Sequence, residues 1–401
     1  MGKIVNEKFD ISQILKRLIS GQKDNISHVD LFSVLYSSIN LSSQISRTDK
    51  KKIIVKAIEE LKKDSNSSAQ HFENLLRKNE NIFLKRSPQI YILVTKISIH
   101  MHLLLHPMRF YVDGCNIFLG SKYVKKISRA NIHIDKSHEE ALKKTSNYSR
   151  CYISAKARSE EEAFEKIMYK TDYLRGIWNL SLNIKTIFRF SSKKNPINNI
   201  VIGPIHTIHN SDGTAVFDGY WYESIIHEPV NVLLSKAKMQ WMLDDMKLIR
   251  RKISKLLYEN EIKEAIVRYC RALDILDYEA SFIKLWNVLE LLTDTIGEKY
   301  DVTIRRVSFL FSEREINQQI LNHLRTQRNN YVHYASKSED EEIILYQLKR
   351  YVEKLLCFCI FTKFKFRTIK EVAHFLSLSC MPEDLANQIK RARYALKFQK
   401  S

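Results

Sequence analysis

The pattern of this chain changes once, at Pro229, and that change limits its fold more than any other feature. Before it, runs of β-branched and aromatic residues read as strands at Ile90–Ile97, Phe110–Leu119 and Arg150–Ala157. Asn199–His209 and Thr214–Tyr222 flank Asn210-Ser211-Asp212-Gly213, a hairpin signal. After Pro229 the strand signals stop, and nearly everything from Val230 to Ser401 has helical periodicity. The first eighty residues read as short amphipathic helices, including Ile11–Ile19, Lys50–Lys63 and Gln70–Lys78, with a Ser-rich break at Asp64–Ser68. A capping box, Ser159 with Glu162 three residues on, opens a further helix that runs toward Trp178. The expected class is α+β. A mixed α/β domain fills residues 1–232, helical over 1–80 and strand-rich over 81–232, and an all-α bundle fills 233–401.

The 401 residues are 44% hydrophobic, enough to build a sizeable core, and 9 Gly with 6 Pro exclude a fibrous or disordered class. Lys and Arg number 65 against 45 Asp and Glu, a net +20 that favours polyanionic partners, nucleic acid first and an anionic membrane surface second. A Lys-, Ile- and Asn-rich genome is the plain alternative source of that excess. Six cysteines without CxxC spacing read as reduced and mostly buried. With no secretory signal and no apolar run able to span a bilayer, the expectation is a soluble, cytoplasmic protein.

The chemistry concentrates in Arg328-Asn329-Asn330-Tyr331-Val332-His333. Ile316, Ile320 and Leu324 recur at four-residue steps, one buried helix face, and Arg328 falls on the next step. A guanidinium there is costly unless it is paired or has a task. Arg325, Asn329 and His333 form a parallel row beside it. Upstream, Phe282, Leu285, Leu289 and Leu292 make another buried face with Glu290 on its edge, a carboxylate placed to hold the Arg328 fork. The next helix opens near Ser338 with the acidic run Glu339-Asp340-Glu341-Glu342, which reads as a cap and a dipole-matched first turn.

From roughly Glu261 to Phe366 the chain resembles a HEPN domain, a helical bundle signed by Arg, four to six residues, then His. It is most similar to the Apea-like group, where an Arg-Asn start and a Val-His end are common. The resemblance implies a metal-independent endoribonuclease without cofactor, of anti-phage or abortive-infection type. Arg328 and His333 take the signature positions and Asn329 the polar one. It further implies a homodimer with a composite site and an N-terminal domain that senses an invader or restrains the nuclease. Some relatives carry His-x-Tyr, a target for nucleotide modification; here that position is Ala335.

Elementary chemistry fits the same residues. RNA supplies its own nucleophile, the 2′-hydroxyl, so cleavage needs a general acid/base and a cation for the charge growing on phosphorus. His333 suits the first task and Arg328 the second. Five residues on a helix separate two side chains by about 140°, so one chain aims them poorly at one phosphate and two copies about a two-fold axis do better. The structural alternative is an Arg328–Glu290 salt bridge with His333 capping a helix end. Arg325 is expected to offer RNA a further cation, and Lys363-Phe364-Lys365-Phe366-Arg367 alternates cation and ring, as a strand of RNA would use, or as a solvated helix face would show. The rival reading of the whole is a non-catalytic basic helical module that binds RNA, a nucleotide or a protein. His100, His102 and His106, and His206 with His209, read as strand and hairpin histidines, and no metal set is expected. Tyr220-Trp221-Tyr222 reads as packing or, less readily, as a stacking platform.

Overall fold

A computed structural model of the chain describes residues 2–5, 9–20, 27–64, 68–100, 107–120, 127, 134–188, 195–223, 235–298, 300–333 and 341–399, with Val332 and His333 described by their main chain alone. It is an α+β protein.

The N-terminal part holds β1 (Lys3–Ile4), α1 (Ile11–Ser20), α2 (His28–Ser38), β2 (Ile39–Asn40), α3 (Arg47–Lys63) and α4 (Ala69–Leu84). Serines start three of these helices: Ser27, Ser46 and Ser68 accept from the amides of Val29, Asp49 and His71, satisfying donors that have no intrahelical partner. Leu15, Leu35, Ile54, Leu61, Phe72 and Leu76 close a core of their own, separate from the main one.

The sheet comprises β3 (Gln89–His100), β4 (Met108–Val112), β5 (Cys115–Gly120), β6 (Tyr148–Ala157), β7 (Ile205–Asn210) and β8 (Trp221–Tyr222), with α5 (Lys136–Lys144) and α6 (Glu160–Asn183) between β5 and β7. Its order is β4-β5-β6-β3-β7-β8, with every neighbouring pair antiparallel. The single strand expected at Phe110–Leu119 is two strands. Asp113 and Gly114, at φ 42° and 89°, make a two-residue turn in which both central residues take positive φ, and Val112 pairs with Cys115 across it. The hairpin expected around Asn210–Gly213 forms: Ile205 pairs with Tyr222, and the Asn210 amide bonds the Thr214 carbonyl at 2.8 Å. At the start of α6, Ser159 Oγ accepts from the Glu162 amide at 3.0 Å, while Glu162 reaches back to the Arg158 amide, one residue earlier than a standard box.

The helices after Pro229 are α7 (Lys236–Ile253), α8 (Glu259–Leu273), α9 (Tyr278–Leu292), α10 (Tyr300–Ser308), α11 (Arg314–His333), α12 (Glu341–Phe361), α13 (Ile369–Leu376) and α14 (Pro382–Phe398). The cap expected at Ser338 lies outside the described residues. One apolar core runs from Ile153 and Ile117 of the sheet through Ile177 and Trp178 of α6 into Met246, Ile266, Trp286 and Leu355. At Gly176 an added Cβ would stand 2.6 Å from Ile266 Cγ2, so glycine is what lets α6 and α8 approach so closely. Among the described residues no helix is long and apolar enough to cross a membrane.

Candidate functional site

Helices α9, α10 and α11 converge on a cleft of about 530 Å³, lined by Glu290, Gly297, Glu298, Tyr300, Asp301, Arg325 and Arg328. Its floor is fixed by α9, which Asp277 caps by accepting from the Ala280 amide and which Phe282, Leu285, Trp286 and Leu289 bury. Beyond α9 the chain turns through Asp294 and Gly297, both at positive φ. Arg306 of α10 holds that turn, donating to the carbonyls of Thr293 (2.5 Å) and Asp294 (3.2 Å) and to Ser377 Oγ (2.8 Å). The hydroxyls of Thr293, Thr295 and Thr303 bond in series beside it.

The buried stripe of α11 is Asn317, Leu321, Leu324 and Tyr331 rather than Ile316, Ile320 and Leu324; Ile316 is 54% exposed. Arg328 still belongs to the stripe, four residues after Leu324 and three before Tyr331, and is half-buried. Its guanidinium lies over the Tyr300 ring, 4.9 Å from the centroid. Its Nε is buried and has no hydrogen-bond partner among the described residues. Glu290 shares the cleft but accepts its hydrogen bond from Trp286 Nε1, at 3.0 Å. Burial pushes the Glu290 carboxyl above its ordinary range, offset in part by that bond and by the Arg328 charge. The expected anchoring of Arg328 by Glu290 therefore takes the form of charge within one cleft.

The other expected residues fall in three places. Arg325 lines the cleft and is ion-paired to Asp301, which occupies the cation foreseen for RNA. Asn329 follows on α11, half-buried and outside the lining of the cleft. The main chain of His333 closes α11, and its side chain lies outside the described residues. Lys363, Lys365 and Arg367 are exposed on the link between α12 and α13. The rings between them, Phe364 and Phe366, gather on Phe375 at 5.0 and 5.4 Å, so the stretch offers cations to solvent while its aromatics pack together.

Several groups weighed from sequence are absorbed by the fold. His206 bonds Thr95 Oγ1 at 2.8 Å, and His209 bonds Thr207 Oγ1 at 2.9 Å, both fully buried. Trp221 stacks on Phe164 at 4.4 Å and Tyr222 on His138 at 3.6 Å, so internal rings cover that platform. His102 and His106 lie outside the described residues. Among the described residues no three His, Cys, Asp or Glu side chains gather as a metal set.

Sequence reasoning missed a second cleft, of about 580 Å³, between α3, α6 and α8. Asp172, Arg175, Arg271 and Asp274 line it. Arg175 donates to Asp172 Oδ1 at 2.6 Å, to Asp274 Oδ2 at 2.9 Å and to the Ile200 carbonyl at 3.1 Å; Arg271 donates to Asp172 Oδ2 at 2.7 Å. From Asp274 the bonds continue inward through Asn198, Asn183 and Tyr269 to Glu353 and Lys349 of α12. The usable signal was Asp172 and Arg175 three residues apart on an otherwise buried helix. Glu223, at the rim, is open to solvent by area yet crowded by the walls. Loss of water and the facing Asp172 and Asp274 push its carboxyl up.

No family model, no curated protein and no solved structure matches this chain.

Proposed function

We propose that the protein is a metal-independent endoribonuclease of the HEPN type, with Arg328 as phosphate clamp and His333 as general acid/base. The observation that carries the reading is Arg328 itself. It is a half-buried guanidinium in an open cleft, over an aromatic ring, with one N–H unbonded, on the helix that closes at His333. A buried donor left unbonded is costly, and an anionic oxygen in the cleft is the partner that relieves it.

In this reading the 2′-hydroxyl attacks the adjacent phosphorus. The O2′–P bond forms, the P–O5′ bond breaks, and the products are a 2′,3′-cyclic phosphate and a 5′-hydroxyl. His333 relays the proton, Arg328 stabilises the phosphorane charge, Asn329 orients substrate or His333, and Glu290 keeps the guanidinium turned into the cleft. Two copies supply the two Arg and two His that one helix aims about 140° apart. Residues before 232 act as the part that senses an invader-derived trigger, in an anti-phage role.

The test is RNA incubated in EDTA with the wild-type protein, Arg328→Ala and His333→Ala. Cleavage by the wild type alone, leaving cyclic-phosphate ends, is expected. RNA retained but uncut under every activating condition would leave a basic helical binding module instead.

A further inference from the structure

The cleft between α3, α6 and α8 takes no part in the chemistry proposed above, and its walls come from two cores. Arg47 opens α3, which packs in the smaller N-terminal core, while α6 and α8 belong to the main one. Glu165 of α6 joins them, accepting from the amides of Arg47 at 3.1 Å and Thr48 at 3.3 Å. At about 580 Å³ the space falls inside the range of about 300–1,000 Å³ that small-ligand sites occupy.

The α6 wall changes character along its length. Phe164, Met168 and Tyr169 make one end apolar, and Asp172 with Arg175 makes the other charged. Glu165 and Asp172 are two helical turns apart, about 10 Å. Most of the charge is committed, since Arg175 bonds Asp172 and Asp274. Three groups keep capacity to spare. Among the described residues Arg47 and Glu223 bond through their main chains alone. Arg271 bonds Asp172 through Nε, which leaves both terminal nitrogens of its fork open. Glu223 and Arg271 lie at the charged end, close enough for each to feel the other's charge. Asp172 and Asp274 make that end a place where a ligand gains by bringing N–H donors.

A carboxylate beside an open guanidinium is a pairing that one base matches. Guanine presents adjacent N1–H and N2–H donors, which a carboxylate accepts together, and O6 and N7 acceptors, which an arginine fork pairs. Adenine sets an amino donor where guanine has O6 and an acceptor where guanine has N1–H. Both protein groups would then face their like.

We infer that this cleft binds a guanine nucleotide, with Glu223 on N1–H and N2–H, Arg271 on O6 and N7, and Arg47 on the phosphate. The base lies on the apolar wall of α6, and one ligand grips α3 and α8 together. The inference is independent of the nuclease reading, because binding is measured without RNA cleavage. Isothermal titration of the full chain should show GMP binding at least about tenfold more tightly than AMP. Glu223→Gln should erase that preference, because its amide turns a donor toward the donors of guanine. Arg47→Ala should weaken GMP by about tenfold and leave guanosine, which lacks the phosphate, unchanged. Both variants should keep the wild-type melting temperature, since the Arg47 main-chain bond to Glu165 survives and the Glu223 side chain has no bond to lose. A chain that takes up no GMP overturns the proposal, as does equal affinity for AMP or a preference that survives Glu223→Gln. Uptake of an RNA oligonucleotide but not of GMP overturns it in favour of a path for a strand.

Discussion

Arg175 and Arg328 both sit on helices built into the same core, and they are treated in opposite ways. Arg175, 1% exposed, has two carboxylates and a carbonyl on its terminal nitrogens, and its partners are in turn bonded to Arg271 and Asn198. Arg328 has a ring beneath it and, in its own cleft, a carboxylate that bonds a tryptophan instead; an unbonded Nε and a neighbouring cleft are common to both arginines. Charge arranged the first way is spent on holding elements together. Arranged the second way, it remains available to a ligand. Burial alone does not separate the two; the state of the partners does.

The comparison can be broken most forcefully at Arg175. Arg175→Ala leaves the buried Asp172 with Arg271 alone and the part-exposed Asp274 with Asn198, and should lower unfolding stability by about 3 kcal/mol, read from denaturant midpoints. A loss below about 1 kcal/mol would mean the network contributes little. Arg328→Ala should do the reverse: RNA cleavage falls by about 10²–10³, as when one transition-state donor is removed, while stability changes little. Arg328→Lys should not restore the rate, because a point charge lacks the planar fork.

Glu290→Gln sharpens the contrast through pH. Burial raises the folded-state pKa of Glu290 above its unfolded value, so its favourable share of stability is complete below the ordinary glutamate range and is lost as pH rises through the raised value. The wild type should therefore lose stability relative to Glu290→Gln across that window. Paired denaturation curves at acid and neutral pH measure it, and a pH-independent gap would contradict the assignment. The smallest effect belongs to the exposed link: replacing Lys363, Lys365 and Arg367 together by Ala should flatten the salt dependence of RNA binding by about 2 in logarithmic slope. An unchanged slope would remove the link from the RNA path.

The sequence shows these regions unequally. Arg328 is legible because a four-residue apolar rhythm exposes the residue that breaks it, although the rhythm's true members include Leu321 and exclude Ile316. Periodicity locates a face to within one residue position, and neighbouring helices choose between the adjacent rows. Asp172 and Arg175 are barely legible, because their burial comes from Asp274, about a hundred residues away, and from the Ile200 carbonyl. Phe110–Leu119 hides a hairpin since Asp113-Gly114 interrupts an otherwise continuous run of strand formers. Local propensity sees the run; the pairing of Val112 with Cys115 reveals the reversal.

The hydrogen-bonded chain from Arg271 through Asn198 to Lys349 ties the loop after α6 to helices on the far side of Pro229. A cut anywhere between residues 223 and 235 would leave raw apolar surface and orphaned ions on both fragments. The later helices share one apolar core with the sheet and α6. A graft of them onto another sensor would need α6 and the segment around Asn198 to travel with them, and heating should melt the sheet and these helices in one transition.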